Sequence, residues 1–237
     1  MIDAKTLRWV AYKNFAGVLV GVLGESSLNC QSFISNKPVK MSDGKHKIYE
    51  FIQSIYPMSE EQRHSVVQYF KPRVFQKNEY LLEEGRVCQM YYFLEEGYVR
   101  AYTHDHHGND VTTAFYSPNQ IVCELSSFFK RIPAQENIQA LTDTKGWYIT
   151  FDELQLAFHG MSYFREFGRL ILVNSYAQLK QRMLSMLQET AEVRYAKLME
   201  SNPLIFQKAP LKMIASFIGV TDTSLSRIRK EYARHRS

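Results

Sequence analysis

The sequence predicts an α+β protein built from a β-roll with flanking helices, one long helix and a C-terminal helix-turn-helix. Three observations carry this. Four short segments rich in β-branched and aromatic residues, Tyr91–Leu94, Tyr98–Tyr102, Val111–Phe115 and Trp147–Thr150, lie between about Val74 and Thr150. Leu172, Tyr176, Leu179, Met183 and Met186 then recur at 4-3-4-3 spacing, an a/d seam over two heptads. Finally, residues 211–230 place Ala215, Gly219 and a set of apolar residues where two helices meeting at a tight turn need them.

Taken in order, residues 1–40 stand apart. Lys5, Arg8 and Lys13 precede the apolar run Phe15–Leu23, and Asn29, Gln31 and Ser32 follow, which is the outline of a secretory signal. The small-residue cleavage pattern is poor, and Ser27-Leu-Asn-Cys30 is a poor lipoprotein signal. The plainer reading starts translation at Met41 and leaves 1–40 a poorly structured leader or a mis-assigned start. Residues 42–70 read as helical: Ile48, Phe51, Ile52 and Ile55 share a face, and Pro57 ends the run. Ser59 with Gln62 then forms a capping box, and Val66, Val67 and Phe70 supply the apolar side of a second helix.

The strand region is punctuated by turn signals at Glu84-Gly85, Glu96-Gly97, His107-Gly108-Asn109 and Ser117-Pro118-Asn119. Strands about every 8–12 residues predict a sandwich, roll or barrel. After Phe151 the pattern is helical again. Ile171, Val173, Leu184 and Leu187 widen the seam, enough to face both the β domain and a second copy, so a homodimer through this helix is expected. The expected division is 1–40, leader; 41–160, β-roll sensor; 161–190, dimerisation helix; 191–237, helix-turn-helix.

The chain has 237 residues, 45% hydrophobic and 22% charged, an ordinary globular balance. No apolar run reaches the ~18–20 residues of a spanning helix, which excludes an integral membrane protein. Cys30, Cys88 and Cys123 are far apart with no CxxC, which argues against a structural zinc site and for a reducing, cytoplasmic compartment. No P-loop, nucleophile elbow or dinucleotide fingerprint is present, so no catalytic or metal-binding residue is assigned. The net charge of +5 is uneven: from Arg194 onward, nine Lys/Arg against three Asp/Glu give +6, leaving −1 for the rest. That asymmetry points to an anionic partner, nucleic acid first, or to a solvated basic tail.

The terminal motif decides between them. Ala215 is small where the two helices touch, and Gly219, four residues on, tolerates the positive φ of the turn. Ile214, Ile218, Val220, Leu225 and Ile228 form the joint core, and Thr221 or Asp222 caps the second helix. That helix then presents Asp222, Thr223, Ser226, Arg227 and Lys230. The expected DNA-contacting set is Thr221, Asp222, Thr223, Ser224, Ser226, Arg227, Arg229 and Lys230. Arg227 suits a bidentate contact to guanine, Ser and Thr suit any base edge, and Arg229, Lys230, Arg234 and Arg236 suit phosphates. The competing reading is an ordinary helical hairpin with a basic face.

In this order the segments resemble the Crp/Fnr family of bacterial transcription regulators, over about residues 48–232. The resemblance rests on Leu82-Glu-Glu-Gly, on Tyr92-Phe-Leu-Glu-Glu-Gly-Tyr-Val-Arg, on His107-Gly-Asn-Asp, on Cys123-Glu-Leu-Ser-Ser and on Leu225-Ser-Arg-Ile-Arg. It implies a cyclic-nucleotide-binding-like jelly roll and dimeric binding to a two-fold symmetric site on double-stranded DNA. It also implies control by a small molecule and admits RNA polymerase as a further partner. Two recognition helices would sit about 34 Å apart. The implied effector pocket comprises Cys123, Glu124, Leu125, Ser126, Ala134 and Gln135.

Here the chain departs from the family. Cyclic-nucleotide binders carry Gly-Glu and, ten residues after the Glu, Arg-Ser/Thr-Ala. This chain has Cys123 and Glu124, then Ala134, Gln135 and Glu136. Without its arginine a buried phosphate keeps its desolvation cost and loses its partner, so tight cAMP binding is not expected and the effector is unnamed. Arg131 is a candidate substitute. The cysteines lack iron–sulfur spacing, and no particular histidine stands out for haem. Ser201–Pro210 is too short for a full wing hairpin. Asp222 and Thr223 depart from the usual Arg and Glu, so the operator should differ from the best-known one.

Two rivals remain. His104, His106, His107 and Asp110 suggest a cupin-like metal enzyme, against a polar hairpin tip. A dimeric ligand or interaction module that does not bind DNA is the other.

Overall fold

A computed structural model describes residues 45–234, all within the unit that begins at Met41. The readings of residues 1–40 lie outside the described residues. Two short helices come first, α1 (His46–Ile55) and α2 (Glu60–Val67). Ile48 and Ile52 are buried on α1, as their spacing predicts. The capping box at α2 forms: Gln62 N–H donates to Ser59 Oγ at 3.2 Å, and Ser59 N–H donates to Gln62 Oε1 at 3.0 Å.

Eight antiparallel strands follow: β1 (Lys71–Phe75), β2 (Tyr80–Leu82), β3 (Met90–Glu96), β4 (Val99–His104), β5 (Asp110–Tyr116), β6 (Gln120–Val122), β7 (Asn137–Ala140) and β8 (Thr144–Thr150). They form two four-stranded sheets, β1-β8-β3-β6 and β2-β7-β4-β5. Strands distant in sequence pair within each sheet, which is the topology of a jelly roll. The four segments read from composition fall in β3, β4, β5 and β8, with Tyr98 one residue ahead of its strand. Their turns carry positive φ at Gly85, Gly97, Gly108 and Asn119. Between β6 and β7 lies a short helix, α3 (Leu125–Lys130).

The core fills the space between the sheets, with Phe75, Tyr92, Phe93, Phe128 and Ile149 all but fully buried. After β8, Thr150 and Glu153 form a second capping box that starts α4 (Phe151–Gly160). The long helix α5 (Ser162–Gln188) follows, 27 residues and so roughly 40 Å in length. Only Phe164, Phe167, Gly168 and Ile171, near its start, are buried, so only its first half anchors on the roll.

The chain then turns through α6 (Ala191–Ser201) and the one-turn α7 (Ile205–Lys208) into α8 (Leu211–Ile218) and α9 (Asp222–Arg234). No strand follows Thr150 among the described residues; α7 occupies the stretch where a wing hairpin would have to fit. A second apolar core joins α6, α8 and α9 through Tyr195, Leu198, Ile214, Ala215, Ile218, Leu225 and Ile228. Tyr98 and Leu141 of the roll belong to that core, so the terminal helices pack on the roll. No described helix is long and apolar enough to cross a membrane.

Candidate nucleic-acid interface and cavity

The turn between α8 and α9 is built as its sequence requires. Gly219 adopts φ 74° and ψ 41°, left-handed backbone that a Cβ disfavours. Gly219 N–H donates to Ser216 O at 3.2 Å and Val220 N–H to Ala215 O at 3.0 Å, the paired bonds of a Schellman end. Ala215 is buried at the contact, and Thr221 Oγ1 accepts from Ser224 N–H at 3.3 Å, capping α9. Of the two capping candidates, Thr221 holds the bond.

On α9, Leu225 and Ile228 point into the core, while Thr221, Asp222, Thr223, Ser226, Arg227, Arg229 and Lys230 are exposed and Ser224 is half-buried. Ser226 donates back to the Asp222 carbonyl at 3.0 Å. Arg229 differs from the rest: it neighbours the Tyr195 hydroxyl on α6, whose pKa burial raises and Arg229 draws back. Arg227 neighbours Glu192. That carboxyl is held below its usual range first by its own backbone amide and by Thr190, with Arg227 and Arg194 adding to the effect.

Two arginines that the sequence did not single out fix the other end of α8. Arg182 of α5 donates to Phe217 O at 3.0 Å, and Arg194 of α6 donates to Ile218 O at 2.8 Å. These are the last carbonyls of α8, where unpaired oxygens and the helix dipole favour cations. Arg182 also lies 3.6 Å over the Phe217 ring. Burial, then the neighbouring Arg194, pushes its pKa down to about 10.

The junction between roll and helix-turn-helix is polar as well as apolar. Thr112 N–H donates to Ser216 Oγ at 3.1 Å, and Thr112 Oγ1 donates to Met213 O at 3.0 Å. Arg100, 1% exposed, donates through Nε to Thr112 Oγ1 at 2.9 Å and pairs with Asp110 at 3.0 Å. A charge inside the apolar strand Tyr98-Val-Arg-Ala-Tyr was the sequence signal for this network. Ser216, on the polar side of α8, offered none.

The seam residues of α5 divide. Tyr176, Leu179 and Met183 are exposed, as are the flanking Val173, Leu184 and Leu187. Leu172 is half-buried beside Phe164 and Gly168. Met186, though 39% exposed, lies against Gly219 of its own chain.

A cavity of about 490 Å³ opens between β5, β6, α5 and α8. Tyr91, Phe115, Tyr116 and Ile171 give it apolar walls, Asn174 and Gln178 project amides, and Cys123 and Leu125 stand at its β6 edge. The remaining pocket candidates do not face it as a phosphate site would. Glu124 caps α3: its carboxylate accepts from Ser126 N–H at 3.1 Å and Ser127 N–H at 2.6 Å, occupying the amides an anion would use. Ala134 is buried, with its N–H and C=O committed to Arg86 and Gly85, and Gln135 is exposed.

Glu136 accepts from Thr113 Oγ1 at 3.2 Å, and burial, then Glu124, raises its pKa. Arg131 does not take the missing arginine's place. It donates to the Cys88 carbonyl at 2.8 Å and Gln89 Oε1 at 2.7 Å, and lies 5.0 Å over the Phe151 ring.

At the β4–β5 tip, Asp105 accepts from the His107 and Asn109 amides, and the His106 and His107 rings lie 3.8 Å apart at a tilt of 43°. His104 pairs with Glu84 and Asp110. Among the described residues, no three or more His, Cys, Asp or Glu are gathered to hold a metal ion.

A jelly roll, a long helix with half its length unburied and a helix-turn-helix, in that order, define the fold of the Crp/Fnr regulators. Comparison with known proteins agrees. Residues 72–159 match the family described as cyclic nucleotide-binding domain. The structure of FixK2 from Bradyrhizobium japonicum superposes with a TM-score of 0.60 at 16% identity, covering 70% of this chain and 85% of that one. A structure described as a transcriptional regulator of the Crp/Fnr family from Eubacterium rectale gives 0.59 at 13% identity, covering 75% and 85%. The c-di-GMP responsive global regulator CLP from Xanthomonas campestris gives 0.57 at 13% identity, covering 75% and 93%. No curated protein matches the sequence.

Proposed function

We propose that this chain is a cytoplasmic, homodimeric, sequence-specific DNA-binding transcription regulator of the Crp/Fnr type, not an enzyme. The observation that carries the reading is α9: a capped helix on a Schellman turn, its apolar side buried, its other side exposing Thr223, Ser226, Arg227 and Lys230. Such a surface fits a major groove, with Arg227 aimed at a base edge and Lys230 at phosphate. The charge of +6 from Arg194 onward supports an anionic partner.

Dimerisation runs through α5. Tyr176, Leu179, Met183 and Leu187 leave an apolar stripe in water on a helix that extends beyond its own roll. The effector cavity takes a small molecule other than cAMP. Ala134 stands where the family's arginine would, and Arg131 is turned to the Cys88 carbonyl and to Gln89. The domain boundaries near residues 160 and 190 follow the same division of labour.

Selection of bound DNA from a random pool with the full chain tests the reading. A two-fold symmetric site is expected, enriched by the wild type and lost in Arg227→Ala. Absence of any enrichment at low salt, with and without cell extract as a source of effector, refutes it in favour of a module that does not bind DNA.

A further inference from the structure

Cys123 lines the cavity, and Cys88, 35 residues earlier in sequence, is buried behind it. Cys123 follows β6, whose Val122 pairs with Tyr92 of β3; Cys88 lies just before β3 on the same edge. Two hydrogen bonds clamp Cys88 to the segment after Cys123. Its N–H donates to Ser127 Oγ at 2.8 Å, and its carbonyl accepts from Arg131 at 2.8 Å. The two thiols are neighbours: Cys123 is the first cause of the pKa shift at Cys88, and Cys88 adds to burial at Cys123. Cys88 is buried, its Sγ 3.4 Å from the Met90 carbonyl oxygen, whereas Cys123 is half-buried and lines the cavity. Both are free thiols.

We propose that Cys88 and Cys123 form a dithiol site that a hydroperoxide entering the cavity closes to an intrachain disulfide. In the first step a thiolate sulfur attacks the peroxide: an S–O bond forms, the O–O bond breaks, and the leaving oxygen takes a proton to become water or an alcohol. In the second, the other sulfur attacks the sulfenic acid. An S–S bond forms, the S–O bond breaks, and hydroxide leaves with the second thiol's proton as water. Two thiols lose two electrons, and the hydroperoxide is reduced by two.

Proximity prepares the pair. The neighbouring Cys123 thiol favours a thiolate at Cys88, pulling its pKa down to about 7, and burial, then Cys88, pushes Cys123 up. One proton is therefore shared by two neighbouring sulfurs, so the cavity-facing Cys123 passes its proton to Cys88 as it attacks the peroxide, and Cys88 resolves the sulfenic acid. The absence of a third His, Cys, Asp or Glu within the group, among the described residues, disfavours a closed metal site. A reversible disulfide inside a cytoplasmic chain is of the transient, sensing kind. Closure would join the β2–β3 connection to the start of α3, remodelling the cavity edge at Cys123. The inference concerns the thiols alone and stands whether or not α9 binds DNA.

The experiment uses the reduced full chain, treated with hydrogen peroxide, alkylated under denaturing conditions and mapped by mass spectrometry before and after reduction. The expected result is loss of two hydrogens per chain and a linked peptide pair containing Cys88 and Cys123. The link is retained in Cys30→Ser and lost in Cys123→Ser. Closure in the folded chain should exceed closure in urea by about tenfold or more, because the fold clamps Cys88 beside the segment that carries Cys123. Recovery of both thiols in reduced form, their conversion only to sulfinic acid, preferential linkage to Cys30 or between chains, or equal rates folded and unfolded would each overturn the proposal.

Discussion

Replacing Gly219 by Ala perturbs the turn on which α9 is mounted. The backbone there sits at φ 74°, and moving an L-residue with a Cβ into that region costs roughly 1–2 kcal/mol. The new methyl would also lie 2.6 Å from Met186 Cε. That atom ends a flexible side chain that is 39% exposed, so it can swing away at a rotamer cost of about 0.5–1.5 kcal/mol.

The two effects together place the loss near 1.5–3.5 kcal/mol, a fall in Tm of about 3–14 °C for a chain of this size. Thermal unfolding followed by circular dichroism reads it. Gly219→Asn should lose less than Ala, because Asn tolerates left-handed backbone. In a double-mutant cycle with Met186→Ala, the contact part should vanish while the backbone part stays. A Gly219→Ala protein within about 0.5 kcal/mol of wild type would refute both the left-handed turn and its contact with α5.

Further expectations follow from other contacts. Arg227→Ala should weaken binding to the selected operator by about 1–3 kcal/mol per half-site, read by fluorescence anisotropy, with unfolding unchanged because the side chain is exposed; equal affinity for specific and random DNA in both proteins would defeat the base-reading role. Thr112→Val removes a hydroxyl shared by Arg100, Met213 and Ser216, and should cost about 1–3 kcal/mol in urea unfolding; a neutral result would mean the junction does not form. Charging the α5 stripe with Tyr176→Lys and Leu179→Lys should give monomers in analytical ultracentrifugation; an unchanged dimer would place the interface elsewhere.

Glu136→Gln tests a carboxyl whose pKa burial has raised. The native state holds its proton more tightly than the unfolded chain, so its stabilising share is complete at acid pH and fades as pH rises through the folded-state pKa. The variant should therefore be more stable than wild type at neutral pH and show no gain below the ordinary carboxylate range; a pH-independent difference would contradict this. Calorimetric titration with cAMP should show no micromolar binding, and a Kd of that order or tighter would overturn the reading of the pocket.

Much of this architecture was legible along the chain because it depends on local spacing. The helix-turn-helix has to put a small residue at the contact, a glycine at the turn and apolar residues three and four apart, and Ala215, Gly219, Leu225 and Ile228 meet those demands within one short stretch. The strands with β-branched and aromatic composition were readable for the same reason. β1, with Pro72, and the three-residue β2 and β6 were not, because short edge segments carry little pattern of their own.

The pocket shows the other limit. The missing arginine was evident at Ala134, but Arg131, three residues away, turned out to bond the Cys88 carbonyl instead. A side chain's direction depends on backbone geometry, here the left-handed φ of 55° at Arg131, and no spacing rule reports it. The seam on α5 was equally ambiguous: its period was visible, yet which residues face the roll, the turn at Gly219 or water was set only when the roll and terminal helices packed on it.

Local order along the chain thus determined the elements and the exposed face of α9, because helix and turn energies act over a few residues. Tertiary structure alone decided the Arg100–Thr112–Ser216 junction, the arginine caps on α8 and the meeting of Cys88 with Cys123. Each joins groups at least 24 residues apart at its longest link, from Arg194 to Ile218 at the nearest to Thr112 to Ser216 at the farthest, and such contacts exist only once the chain has closed on itself.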